Sequence, residues 1–71
     1  MKQGKVDEIK VGNIYEQKSG GNYVAIATNS ADDEITFVRI GDGWTLIAHG
    51  ARLDEDGLLF WDYSTGGYFA Q

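Results

Sequence analysis

The stretch EITFVRIGDGWTLIAH, residues 34–49, decides the fold of this chain. Two runs of β-branched and aromatic residues, each as long as a short strand, flank a Gly-Asp-Gly sequence. In the second run Trp44, Leu46 and Ala48 fall at alternate positions, which is the spacing of a strand with one buried face. Glycine supplies the positive φ of tight turns, and aspartate tolerates it. The stretch therefore predicts a β-hairpin.

The same alternation of apolar runs and turn residues extends along the rest of the chain. Clusters of Gly, Asp, Asn and Ser separate short runs that are rich in β-branched and aromatic residues. The runs predict six strands, over residues 9–17, 23–28, 34–40, 44–49, 58–63 and 68–70. In the third strand Ile35 and Phe37 lie on one face, whereas Val38 and Ile40 lie on the other. We therefore expect a bend or bulge in that strand.

Helix signals are poor, and residues 51–55 offer at most one helical turn. Five to six short antiparallel strands of this spacing are typical of a small closed barrel. We therefore predict an all-β fold in which residues 9–71 form a single β-barrel domain. Residues 1–8 are predicted to be a flexible N-terminal arm.

Residues 11–27 (VGNIYEQKSGGNYVAIA) resemble the opening hairpin of small SH3-like modules. The shared pattern is a Gly, an aromatic strand, a Lys/Gly turn, a second aromatic and a valine-rich strand. The resemblance implies a small SH3-like barrel and no particular activity. The fuller aromatic and acidic signature of SH3 domains that bind proline-rich peptides has no counterpart here, so that function is not carried over.

Composition excludes several classes of protein. The chain has 71 residues, no Cys, one His and a net charge of −5. Without Cys there is no disulfide and no zinc site of the usual four Cys/His ligands. No apolar run approaches the roughly 18 residues of a membrane span. An acidic chain repels phosphate backbones, so nucleic-acid binding is not favoured. The lack of Cys is compatible with a reducing compartment, and we predict a cytoplasmic protein.

Catalytic chemistry finds little support in the sequence. His49 would need a neighbouring Ser or Thr hydroxyl, an orienting carboxylate and an oxyanion hole, and no nucleophile motif is present. The run Asp54-Glu55-Asp56-Gly57 begins like a calcium loop but lacks Gly and Glu at the sixth and twelfth positions. We predict that the protein is not an enzyme and has no catalytic residue, metal or cofactor.

The chain has more aromatic rings than so small a core is expected to hold. Nine residues are Phe, Trp or Tyr. Adjacent rings such as Phe60 and Trp61 face opposite ways in a strand, so at least two large rings should lie at or near the surface. Exposed Trp and Tyr provide contact area at low entropic cost. The predicted contact residues are Trp44, Phe60, Trp61 and Tyr63. The alternative is that loops cover both faces.

Two acidic turns complete the predicted binding surface. They are Asp32-Asp33-Glu34 and Asp54-Glu55-Asp56. If both turns lie on one side, they form a negative patch that fits a basic or nucleic-acid-binding surface of a protein partner. The alternative is that these acids only keep the protein soluble.

These features predict a non-enzymatic protein-interaction module, similar in size and charge to small acidic inhibitors or accessory proteins of phages and mobile elements. Two alternatives stay open. One is a nucleic-acid-binding barrel that stacks bases on Tyr and Trp and uses Lys2, Lys5, Lys10 and Lys18. The other is a structural or assembly component, of the virion type, that pairs edge strands. A homodimer is expected, because a small domain without disulfides gains stability by burying surplus rings against a copy of itself.

Overall fold

A computed structural model describes residues 9–69, which contain seven strands and no helix. The strands are β1 (Ile14–Glu16), β2 (Asn22–Asn29), β3 (Glu34–Arg39), β4 (Trp44–His49), β5 (Arg52–Leu53), β6 (Leu59–Phe60) and β7 (Tyr63–Phe69). Five of them form an antiparallel sheet in the order β1-β2-β3-β4-β7, and β5 and β6 form a separate two-stranded ribbon. The predicted all-β fold is confirmed. The predicted arm of residues 1–8 lies outside the described residues.

The ribbon packs over one face of the sheet and encloses the core. Phe37 lies at the centre with no exposed surface, and the Trp61 ring stacks on it at 5.6 Å between centroids. Tyr23 meets both rings edge to face. Backbone bonds join the ribbon to the sheet, from Lys18 N–H to the Leu59 carbonyl (2.8 Å) and from Asp62 N–H to the His49 carbonyl (2.9 Å). The result is a small barrel-like domain in which Leu59 and Trp61 provide the second layer.

The sheet has two ends that differ in construction. At the turn end lie the β1–β2, β3–β4 and β5–β6 connections, residues 17–21, 40–43 and 54–58. The β5–β6 turn belongs to this end because Asp54 pairs with Lys18 of the first turn at 3.2 Å. At the groove end lie the β2–β3 turn, residues 30–33, and residues 50 and 51 after β4. A backbone bond from Gly50 to Asp33 (3.2 Å) joins these two segments.

The first predicted strand is much shorter than expected. Residues 9–17 were predicted as extended, whereas β1 covers only Ile14–Glu16. A turn precedes it, closed by a bond from Asn13 N–H to the Lys10 carbonyl (3.2 Å), and Gly12 has a φ of 94°. Positive φ at this glycine interrupts the strand. Because β1 begins only at Ile14, no strand of the described chain pairs with β2 on that side beyond Val24.

The predicted strand over residues 58–63 is divided in two. Its first part is β6, and the chain leaves the strand at Trp61 and Asp62 before β7 begins at Tyr63. The predicted turn at Gly66 and Gly67 is instead a bulge inside β7, opposite β4. A Cβ at residue 67 would collide with the Trp44 ring, so only glycine fits there.

Residues 51–55, where at most one helical turn was expected, contain no helix, because the chain is extended through β5 and Leu53 packs against the core. The Asp54 carboxylate then shapes a turn by accepting N–H bonds from Asp56 (2.8 Å) and Leu58 (2.9 Å). The predicted irregularity of the third strand is also misplaced. β3 pairs regularly with β4, and the bulge lies in β2, at Ile26.

Candidate functional site

An open groove of about 470 Å³ lies at the groove end, between β2 and the ribbon. Ile9, Ile35 and Leu53 contribute apolar side chains that are also packed against the core. Ala51 and six polar residues complete the lining; the polar residues are Thr28, Asn29, Ser30, Asp33, Glu34 and Arg52. The groove thus combines an apolar part with a polar part that carries two carboxylates and one guanidinium.

Two strands present open edges to this groove. On the side of β1, strand β2 is paired only over residues 22–24, and two further backbone bonds join Gly12 and Asn13 to Ala25. From Ile26 to Asn29, the only strand of the described chain paired with β2 is β3. Strand β5 is likewise paired only with β6 within residues 9–69. Open edges carry backbone N–H and C=O groups that can pair with an added strand.

The charge of the groove end is negative. Asp32, Asp33, Glu34 and Asp62 lie there, and Arg52 is the one base among the described residues that line the groove. Arg52 is 4.0 Å from Asp62, and both side chains are more than half exposed. Asp33 has a φ of 56°, the left-handed conformation that Asp and Asn tolerate best among residues with a Cβ. The conformation of this turn holds the Asp33 side chain at the groove.

The two acidic turns predicted from the sequence do not share one side of the molecule. Asp32, Asp33 and Glu34 lie at the groove end, whereas the turn of Asp54, Glu55 and Asp56 lies at the turn end. The length of β2 separates them. The Asp54 carboxylate is occupied by backbone N–H groups and by Lys18. The bond from Leu58 N–H, with smaller contributions from Lys18 and Asp56, lowers the pKa of Asp54 below its usual range.

The four predicted contact aromatics are dispersed as well. Trp61 is half-buried against the core, and Trp44 packs beside Phe69 with ring centroids 4.8 Å apart. Phe60 lies at the turn end, where the Lys18 ammonium is 5.6 Å from its ring centre. Tyr63 is 59% exposed and stacks on His49 at the groove end. These rings therefore do not form a continuous surface with one another.

A close ion pair at the turn end was not predicted from the sequence. The Arg39 guanidinium donates to both oxygens of Asp42, at 3.0 and 2.6 Å, and Trp44 N–H donates to the same carboxylate at 3.1 Å. The guanidinium bonds, then the backbone bond, lower the pKa of Asp42 from its usual 3.8 to about 2. The Asp42 carboxylate in turn raises the pKa of Arg39. The spacing of three residues across a Gly-Asp-Gly turn is the signal from which the pair could have been found.

The structure brings His49 beside a hydroxyl and a carboxylate, the partners that catalysis would require. His49 Nε2 is 3.0 Å from Thr65 Oγ1, and Nδ1 is 3.7 Å from Glu34 Oε2. The carboxylate is beyond hydrogen-bond distance, and neither His49 nor Thr65 lines the groove. Tyr63 covers one face of the imidazole at 4.3 Å. The cluster ties β3, β4 and β7 together on the outer face of the sheet.

The lysines of the nucleic-acid alternative do not converge in the described part of the chain. Lys18 pairs with Asp54, and Lys10 donates its backbone N–H to the Tyr15 hydroxyl at 2.9 Å. Lys2 and Lys5 lie outside the described residues. Among residues 9–69 no group of three or more His, Asp or Glu side chains is arranged to hold a metal ion. No helix that could cross a membrane occurs in the same residues.

Comparison with protein-family models, with curated proteins and with solved structures finds no match to this chain. The resemblance of its opening hairpin to SH3-like modules therefore stays a prediction.

Proposed function

We propose that the protein is a non-enzymatic protein-interaction module that captures an extended, basic segment of a partner protein in its groove. The observation that carries the proposal is the gap between the open edges of β2 and β5. An extended segment lying there would bond to strand backbone, as peptides do in other domains that recognise them by strand addition.

The side chains that line the groove determine which kind of segment can bind there. Successive residues of a strand point to opposite sides, so an added strand turns alternate side chains toward the apolar lining of Ile9, Ile35 and Leu53. The intervening side chains would face the rim, where carboxylates outnumber the one guanidinium. A segment in which apolar and basic residues alternate fits both requirements, and like-charge repulsion discriminates against an acidic segment.

A cytoplasmic location, predicted from the lack of Cys, belongs to this proposal. So does the comparison with small acidic inhibitors and accessory proteins of phages and mobile elements, which rests on size and charge. Asp42 and Asp54 of the turn end play no part in capture, because their carboxylates are already bonded there, and Glu55 and Asp56 lie in the same distant turn.

The test uses a short fluorescein-labelled peptide in which valine alternates with lysine, and a second peptide in which glutamate replaces lysine. Fluorescence anisotropy at low and high salt measures binding to the full chain. We expect the basic peptide to bind, the acidic peptide not to bind, and added salt to weaken binding. N-methylation of alternate amides in the basic peptide should abolish binding if its backbone pairs with the strand edges.

Matched variants locate the site. Asp33→Asn removes one charge from the groove and keeps a residue that tolerates positive φ. It should lower the affinity for the basic peptide about two- to fivefold, as expected for the loss of one exposed ion pair. Asp56→Asn makes the same change at the turn end and should leave affinity unchanged. Equal effects of the two variants, or no effect of N-methylation, would refute capture in the groove. Binding of a single-stranded oligonucleotide in place of the peptide would favour the nucleic-acid alternative.

A further inference from the structure

The edge of the sheet opposite β1 is formed by β7, a strand of seven residues, all of them exposed. Among the described residues only β4 pairs with it. Its sequence, YSTGGYF, contains no charged side chain. Three of its rings are more than half exposed, Tyr63 at 59%, Tyr68 at 58% and Phe69 at 55%. Long, uncharged edge strands are sites of pairing with another chain.

The other edge of the sheet is protected. β1 has only three residues, and one of them is Glu16. Short edge strands and charged side chains are the usual means by which a sheet avoids edge-to-edge association. The contrast indicates that β7, rather than β1, is the edge strand that can pair along its whole length with another sheet, whereas the open part of β2, residues 26–29, lies at the groove.

We infer that β7 pairs with β7 of a second copy of this chain, in antiparallel orientation about a two-fold axis near Gly66. A two-fold axis can relate two identical antiparallel strands. If one residue of the first copy contacts a second residue of the other copy, the same two residues are also in contact with the copies exchanged. With the axis at the central bulge, the first half of β7 in one copy faces the second half of β7 in the other. Each end of the paired strands then brings Tyr63 of one copy close to the rings at the end of the other.

The absence of charged residues favours β7 as the edge that pairs with a second copy. Each chain carries a net charge of −5, so two copies repel one another over most of their surfaces. The residues of β7 carry no charge, so they allow close approach without bringing carboxylates together.

The same pairing would also bury apolar surface on the outer face of the sheet. A row of opposed residues crosses all five strands, consisting of Ile14, Val24, Val38, Thr45 and Tyr68. The row ends at β7, where Tyr68 is exposed. A second copy on that edge would bury part of the Tyr68 ring and continue the sheet to ten strands. A domain whose core contains six buried apolar residues benefits from this added burial.

Sedimentation equilibrium over a wide concentration range tests the inference with Ser64→Lys. Ser64 is exposed in β7, and a lysine on an edge strand opposes pairing. We expect the wild-type chain to form a dimer and Ser64→Lys to raise its dissociation constant at least about tenfold. Ser19→Lys, the same substitution in the exposed β1–β2 turn, should leave the dimer unchanged. Tyr68→Lys provides a second edge variant should Ser64→Lys fail to fold.

Hydrogen exchange provides a readout that a change in folding does not reproduce. Amides of β7 that do not bond to β4 should exchange more slowly as concentration rises, while amides of β1 should not change. A wild-type chain that stays monomeric, or a dimer weakened equally by Ser19→Lys and Ser64→Lys, would overturn the inference. The groove is built from other strands, so Ser64→Lys should still bind the basic peptide, and the two proposals can fail separately.

Discussion

The two ends of the sheet carry the same kinds of residue and use them differently. At the turn end, Asp42 bonds to Arg39 and Asp54 bonds to two backbone N–H groups of its own turn. At the groove end, Asp33 lies at an open groove, and Glu34 and Asp62 have ionic partners only at 3.7 and 4.0 Å. A carboxylate that is bonded within its turn stabilises that turn, whereas a carboxylate without a close ionic partner can contact another protein.

The largest expected effect comes from the core that the two ends share. Phe37→Ala removes a fully buried ring that Trp61 stacks on, and it should cost about 3–5 kcal/mol of unfolding free energy. Because small domains have only about 5–15 kcal/mol in total, we expect loss of structure at both ends, measured by urea unfolding and circular dichroism. Phe69→Ala is the matched control. Phe69 is 55% exposed, so it should cost only about 1 kcal/mol. Equal losses of unfolding free energy in the two variants would contradict the assignment of Phe37 to the core.

The same substitution at each end separates their roles in stability. Asp54→Asn weakens the pair with Lys18 and the N–H bonds of the β5–β6 turn, so the midpoint of urea unfolding should fall. Asp33→Asn should change the unfolding free energy by less than about 0.5 kcal/mol, as for other surface substitutions. A reversed order would mean that the acids of the groove end, and not those of the turn end, stabilise the fold.

Acid titration tests whether the Asp42 carboxylate stabilises the turn end. Folding lowers the pKa of Asp42 from its usual 3.8 to about 2, so the folded state favours the ionised carboxylate. Its contribution to stability is complete above about pH 4 and is lost as the pH falls toward 2. Asp42→Asn should therefore flatten the dependence of stability on pH in this window. Thermal unfolding followed at several pH values measures it, and an unchanged slope in the variant would exclude the pair as the cause.

The smallest expected effect concerns His49 at the groove end. We expect the protein to hydrolyse p-nitrophenyl acetate no faster than an equal concentration of free imidazole, because the Glu34 carboxylate is too distant to orient the ring and neither His49 nor Thr65 lines the groove. The variants His49→Gln and Thr65→Val serve as controls. A faster rate that both variants abolish would show that the cluster is catalytic and that the protein is an enzyme.

Local periodicity was sufficient to predict the central strands. β2, β3 and β4 were predicted to within a residue or two, because each is a run rich in apolar, β-branched and aromatic residues between turn residues. The sequence was less informative for β7. Whether Gly66 and Gly67 form a turn or a bulge depends on the Trp44 ring, which belongs to another strand.

The candidate site was predicted only in part. Asp33 and Glu34 were identified as binding residues and do line the groove. The open edge of β2 was missed, because it results from the late beginning of β1 at Ile14 and cannot be seen in the sequence of β2 itself. A continuous strand over residues 58–63 would place Trp61 and Tyr63 on one face, but the chain leaves the strand after Phe60, so Tyr63 lies on the outer face beside His49.

By itself the sequence determined the fold class, the central hairpins and the surplus of rings and carboxylates, because strand period and turn preference are properties of neighbouring residues. Only the tertiary structure decided that the two acidic turns lie at opposite ends, that β2 and β5 leave a gap between them, and that β7 is an uncharged edge. Those features depend on where strands end relative to distant partners, and packing between remote segments sets that relation.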